Sequence, residues 1–217
     1  MAWSLQTLVR SPWLSRQPAP VARTLLDLGR VYRFEAGQQL LAGEGGLFAV
    51  VQGRVALYAD AGRAPPVLVD LLHAGAWLGL TAPDGDGRTP LIARARNAVA
   101  LFLIPDAQLA RLGRSRSDVW QSIAALAYAQ HGEAVATIAR LLTADPAQLI
   151  ALRLVALREG RPPFVAVSQT ELGELCGLTR KAINAHLGAM EEGGLVRRAY
   201  GRVDLLDLPA LRRLASG

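Results

Sequence analysis

Arg180, Lys181 and Asn184 sit close together near the carboxyl end of the chain, and Lys181 is its only lysine. A guanidinium, an ammonium and a carboxamide on one helix face could hydrogen-bond the edges of nucleic-acid bases. Arginine and lysine donate to guanine O6 and N7, and asparagine can pair with adenine N6 and N7. A solvated helix face would carry the same residues, so the surrounding pattern has to decide. In SQTELGELCGLTRKAINAHL, Ser168 and Glu171 have the spacing of a capping box, which predicts a helix starting at Gln169. Leu172 and Leu175 then face inward, Gly177 permits a tight turn, and Thr179 caps a second helix. That helix turns Ile183, Leu187 and Met190 inward, with Arg180, Lys181, Asn184 and Ala185 opposite. Two helices joined this way form a helix-turn-helix, whose second helix enters the major groove.

The residues that follow extend the motif. GLVRRAYGRVDLLDL has two alternating strands about Tyr200-Gly201, a hairpin that would complete a winged helix. Arg197, Arg198 and Arg202 are expected to reach phosphates, as are the hydroxyls of Ser168, Thr170 and Thr179. Such contacts set position without reading sequence.

Upstream elements must hold this unit in place. Residues 31–105 consist of short apolar runs broken by glycines, such as LFAVVQGRVALYAD and PVLVDLLHAGAWLGL. They predict antiparallel strands in a sandwich or barrel, with residues 5–29 as a short helical lead-in. From Ser117 the period changes. Trp120, Ala124, Ala127, His131, Ala134, Ile138 and Leu141 alternate at spacings of four and three, the seam of a coiled-coil-like helix. Small alanines there would let two copies approach closely; the alternative is a helix packed only on its own barrel. Asp145-Pro146 ends this helix and caps the next, with Gln148 in the capping-box position. The next helix, 146–158, ends at Gly160, before the stiff connector Arg161-Pro162-Pro163.

Composition removes several classes. The chain has 217 residues, 51% of them apolar, but no apolar run reaches the ~20 residues that span a bilayer. Its start has no basic segment followed by a long apolar stretch, so no secretory signal is read and a cytosolic location is expected. One cysteine, Cys176, holds neither a disulfide nor, alone, a zinc ion or iron–sulfur cluster. The formal net charge of +6 is spread along the chain, so placement rather than total charge points to nucleic acid.

This order of parts resembles the CRP/FNR family of bacterial transcription regulators over nearly the whole chain. FEAGQQLLAGEGGLFAVVQGRVALY is similar to the family's opening barrel strands, with Gly37 and Gly53 at turns, and LLHAGAWLGL to its L-x-P-G-x-x-x-G stretch. The resemblance implies an α+β protein: an N-terminal cyclic-nucleotide-binding-like antiparallel barrel (double-stranded β-helix), a dimerisation helix and a winged helix-turn-helix. The expected boundaries are 1–116, 117–143 and 144–217. It also implies a homodimer on double-stranded DNA with a palindromic operator, with RNA polymerase as a further partner and no membrane.

The departures concern the effector. Cyclic-AMP-binding members carry Gly-Glu-Leu followed by Arg-Ser-Ala, whose Glu holds the ribose and whose Arg holds the phosphate. Here Gly79 precedes Leu80, Thr89 stands where the arginine belongs with Arg88 one position away, and Pro90 removes an amide. The mid-helix hydroxyls that meet adenine give way to Ala134 and Val135. The expectation is a degenerate effector pocket that cyclic AMP does not control, with the small-molecule effector unassigned and no cofactor or metal named; the alternative is a cyclic-nucleotide-responsive member in which Arg88 takes the phosphate. A haem-responsive reading would rest on His73, the only barrel histidine, and His131 on the seam would set helix register. A cupin-like metalloenzyme would need clustered histidines and carboxylates, and no H-x-H or H-x-x-x-E accompanies His73. With no nucleophile triad or P-loop either, no enzyme is expected. An adaptor with a degenerate winged helix is the remaining alternative, opposed by the charged face of the second helix.

Overall fold

The computed structural model describes residues 5–40, 45–60, 65–80, 91–113, 115–158 and 162–216. Two strands explain why the first half of the sequence reads as unbroken apolar runs. β3 (Gly46–Gln52) and β8 (Val99–Pro105) are neighbours inside an antiparallel sheet, flanked by β1 (Arg30–Phe34) beside β8 and β6 (Trp77–Leu80) beside β3. Side chains alternate along a strand, so a run apolar at every position needs cover on both faces. Leu47, Ala49, Val51, Ala100, Phe102 and Ile104 face one side, and Phe48, Val50, Val99, Leu101 and Leu103 the other.

A second antiparallel sheet covers the latter side. Its order is β2 (Gln39–Leu40), β7 (Leu91–Ala95), β4 (Arg54–Ala59) and β5 (Val67–His73). It contributes Leu40, Val55, Leu57, Leu72, Ala93 and Ala95 to the space between the sheets, completing the expected barrel. The β3–β4 turn depends on Gly53, whose φ is 88° and whose added Cβ would lie 2.4 Å from the Ala98 carbonyl oxygen.

Helices cover the outer side. The expected lead-in divides into α1 (Gln6–Val9), a 3-10 turn at Leu14–Arg16, and α2 (Ala19–Leu28). With α3 (Asp106–Gly113) and the start of α4 (Ser117–Thr143) they bury Leu8, Leu14, Val21, Leu25, Leu109, Val119 and Leu126 against the sheet. Trp77 on β6 is the polar anchor of this layer. Its indole Nε1 donates to Ser11 Oγ at 2.9 Å, and its carbonyl oxygen accepts from Gln130 Nε2 of α4 at 2.7 Å. Ser11, itself buried, donates onward to the Leu8 carbonyl at 2.6 Å.

Helix α4 forms as the periodicity predicts. Its inner face presents Val119, Ile123 and Leu126, while Trp120, Ala124, Ala127, His131, Ala134, Ile138 and Leu141 are all exposed within the single chain. The part of the seam from Trp120 to His131 is therefore not spent on the barrel.

The compact units are residues 1–132 and 133–217, with the division inside α4. The reason lies in packing: the first half of α4 is part of the barrel's outer core, whereas Thr137, Arg140 and Leu141 line a cleft with Leu149, Leu152 and Arg153. The cap at Asp145 still forms. Its Oδ1 accepts from the amides of Ala147 and Gln148 at 2.8 and 3.0 Å.

The second unit comprises α5 (Pro146–Arg158), β9 (Phe164–Val165), α6 (Gln169–Cys176), α7 (Arg180–Glu192), β10 (Val196–Ala199), β11 (Arg202–Leu205) and α8 (Leu208–Ser216). Its sheet runs β10-β11-β9, and α8 packs on α5. Ile150, Leu154, Leu172, Ile183, Leu187, Val196 and Leu211 form its buried centre.

Ser11→Ala should leave the Trp77 indole N–H buried without an acceptor, a loss of about 1–3 kcal/mol. Urea unfolding followed by tryptophan fluorescence should show a lower midpoint with little change in slope; an unchanged midpoint would deny Ser11 this anchoring role.

Candidate nucleic-acid interface

The site begins with two capped helices. Ser168 Oγ accepts from the Glu171 amide at 3.2 Å, and Glu171 Oε2 accepts from the Ser168 amide at 2.8 Å. The capping box read from sequence is therefore present, and it also engages the Ser168 hydroxyl, which donates to Glu171 Oε2 at 2.7 Å. Gly177 closes α6 in the left-handed region at φ 63°. A second glycine matters as much: a Cβ on Gly173 would lie 2.6 Å from the Leu178 carbonyl oxygen, so the turn folds back directly over it. Sequence reasoning passed over Gly173, although a glycine inside a short helix is the signal for such close approach. Arg153 of α5 donates from Nε to the Leu175 carbonyl at 3.1 Å, placing a cation where the last carbonyls of α6 lack helical partners.

Thr179 Oγ1 caps α7 by accepting from the Ala182 amide at 3.2 Å. Ile183, Leu187 and Met190 are buried, and Arg180, Lys181, Asn184 and Ala185 are exposed, the division that the spacing predicts. Among the described residues, neither Arg180 nor Lys181 has a side-chain hydrogen-bond or ion-pair partner. Asn184 differs. Its Oδ1 accepts from Gln169 Nε2 at 3.1 Å and from Arg198 Nη1 at 3.0 Å, joining α6, α7 and the wing at one atom.

β10 and β11 form the hairpin, with Arg197 opposite Asp204 and Arg198 opposite Val203. Alternation therefore puts the wing arginines on two faces. On one face Asp204, nearly buried, takes Arg197 Nη2 at 2.8 Å on Oδ2 and Arg202 Nε at 3.0 Å on Oδ1. The Arg202 guanidinium also lies 5.2 Å over the Phe164 ring of β9. On the other face Arg198 turns toward α7, where Glu191 accepts its backbone amide at 2.7 Å and its Nε at 2.8 Å. Those two bonds hold the Glu191 carboxyl below the usual carboxylate range. A depressed carboxylate stabilises the fold at neutral pH and loses that contribution as pH falls through its lowered value. Thr170 is exposed on the first turn of α6, and Tyr200 stands fully exposed at the hairpin tip.

In the first unit, Gly79 and Leu80 lie on β6 opposite Leu47 and Gly46, and a Cβ on Gly79 would meet nothing within 4 Å among the described residues. Arg88, Thr89 and Pro90 fall outside the described residues. Ala134 and Val135 are exposed on α4. His73 is half-buried at the end of β5, with Nδ1 3.4 Å from the Leu71 carbonyl oxygen. Among the described residues no cluster of His, Cys, Asp and Glu could hold a metal ion, and no helix is long and apolar enough to cross a membrane.

Burial of Cys176 against the helix-turn-helix core pushes its thiol up to about 12. It should therefore resist alkylation at pH 8, where an unfolded cysteine with pKa near ~8.5 is partly thiolate. Mass spectrometry after iodoacetamide treatment should find modification only in denaturant; rapid labelling of the native protein would mean the α6–α7 core is open. The sign follows from burial: above the unfolded pKa the unfolded state ionises first, so this contribution to stability is lost as pH rises.

Residues 138–214 match the Crp-like helix-turn-helix domain. The chain is 31% identical over 155 residues to the transcriptional regulator LdrP of Thermus thermophilus, covering 68% of this chain and 77% of LdrP. The fold is similar to that of TTHA1359, a CRP/FNR-family transcriptional regulator from the same species, at 23% identity and a TM-score of 0.64 over 87% of this chain and 99% of that one. It is also similar to FixK2 from Bradyrhizobium japonicum, at 16% identity and a TM-score of 0.72 over 87% and 98% of the two chains.

Proposed function

The chain belongs to the CRP/FNR family of transcription regulators, and from that premise we propose that it acts as a homodimer on a two-fold symmetric operator. In this reading α7 enters the major groove, where Arg180 and Lys181 read bases directly and Asn184 takes part through its amide. The observation that carries it is the pair of unpartnered cations on the exposed face of α7, beside wing arginines that are all tied to carboxylates. Arg197, Arg198 and Arg202 each keep N–H groups beyond those their carboxylates take, since a guanidinium carries five donors. The wing can thus still meet phosphate while its arginines are held in place. RNA polymerase as a further partner and a cytosolic location belong to the same reading.

The exposed seam of α4 supports the dimer. Two-fold contact along Trp120, Ala124, Ala127, His131, Ala134, Ile138 and Leu141 would cover apolar surface that the single chain leaves in water. It would also set two copies of α7 on successive half-sites.

For the effector, the reading excludes control by cyclic AMP. A buried cyclic nucleotide needs partners for its ribose hydroxyl and its phosphate charge. Leu80 offers no acceptor, Thr89 replaces the phosphate arginine, and Pro90 has no amide to give. Leu40, Val55, Leu57, Leu72, Leu101 and Leu103 are among the buried apolar residues between the two sheets.

Operators should first be selected from randomised duplexes, then titrated by fluorescence anisotropy. Arg180→Ala should lose about 1–3 kcal/mol on the selected operator and relax preference at one base pair per half-site. Equal affinity and selectivity would remove Arg180 from the base-reading set. Cyclic AMP should leave the wild-type affinity unchanged.

Ala127→Glu would place two like charges in a close-packed seam, where unpaired burial is costly. Sedimentation should show a wild-type dimer and a largely monomeric variant that no longer holds the operator. A wild-type monomer at micromolar concentration would end the dimer reading.

A further inference from the structure

Asn184 is held in one orientation by groups that can only donate to the atom they touch. A guanidinium has no acceptor, so the atom 3.0 Å from Arg198 Nη1 must be the carboxamide oxygen, not its nitrogen. Gln169 Nε2 donates to the same oxygen from the first turn of α6. Both lone pairs of Oδ1 are then engaged, and the amide nitrogen, with its two donors, has no partner among the described residues. The holder is itself held. Arg198 is fixed by Glu191 through its backbone amide and Nε, and it crosses α7 over Gly188, where an added Cβ would come 3.5 Å from Nη1. A Cβ there would make an ordinary van der Waals contact with the guanidinium, so the two groups lie side by side.

We infer that Asn184 presents its amide nitrogen to DNA and selects a base edge that accepts hydrogen bonds, with Arg198 as the positioning residue that sets this choice. Bidentate pairing with adenine needs the carboxamide oxygen to accept from N6–H while the nitrogen donates to N7. Here the oxygen is already saturated, so that pairing would require breaking the bond to a charged donor. Guanine, with N7 and O6, and thymine, with O4, ask only for donors. Arg198 therefore acts on sequence preference through Asn184, beyond any phosphate it meets with its remaining N–H groups.

The inference rests on α7 as the base-reading helix, and the test separates the two. Operators are selected with wild type, Asn184→Asp and Arg198→Ala, after thermal melts confirm that each variant folds. Wild type should select guanine or thymine at one position that becomes indifferent in Arg198→Ala, with roughly tenfold loss of discrimination there. Asn184→Asp keeps the shape and the bond to Arg198 but offers only acceptors outward. Its preference at that position should move to cytosine or adenine, whose amino groups donate. If Arg198→Ala does not fold, the wild-type and Asn184→Asp selections still decide. Adenine selected by wild type, or the same base selected by wild type and Asn184→Asp, would overturn the inference while leaving α7 as the reader. If wild type enriches no sequence, the reading of α7 falls and takes this inference with it.

Discussion

Helix α4 carries apolar residues on two faces, and its own chain covers one of them. Val119, Ile123 and Leu126 are committed to the barrel's outer core, and Gln130 is tied to the Trp77 carbonyl. These contacts fix the rotation of the helix's first half about its axis. Once that rotation is fixed, the neighbouring seam residues of this half cannot turn inward, and Trp120 remains 40% exposed. The barrel thus decides what α4 offers to anything outside the chain. Alanines at 124, 127 and 134 offer a flat surface rather than large side chains, which suits close helix approach more than a loose contact.

The same economy of partners shapes the second unit. Two carboxylates, Glu191 and Asp204, collect all three wing arginines, and they do so on different faces of the hairpin. The Glu191 pair lies at the surface, where ion pairs contribute little to stability, while Asp204 is buried beneath its two arginines. The consequence of these pairs is geometric. They keep long side chains from wandering, and they lower the net positive charge of the wing, leaving Arg180 and Lys181 as the uncompensated cations on the exposed face of α7.

Local patterns in the sequence settled the helix-turn-helix, because caps and turns are decided by chemistry within a few residues. Ser168 with Glu171, Gly177 and Thr179 all took the roles their types dictate, and the apolar spacing fixed the buried face of α7. The strands of residues 31–105 were legible for a related reason: runs with no polar alternation must be covered on both sides. Shorter or more ambiguous elements escaped. β9 has two residues and exists only because β11 offers it a partner, while α8 depends on the Asp207 cap and on α5 for its buried Leu211.

What the sequence by itself determined, then, was which elements form and which of their faces are apolar, since both follow from spacing and side-chain type along one segment. Only the tertiary structure decided which polar groups remain free. Asn184 reads in sequence as a residue able to both donate and accept, and Gln169 and Arg198, from other elements, take its oxygen away. Arg197 and Arg202 are likewise drawn to Asp204 across the hairpin, though each keeps further donors. A hydrogen bond is set by distance and direction between groups that lie far apart in the chain. No spacing rule within one segment can anticipate it.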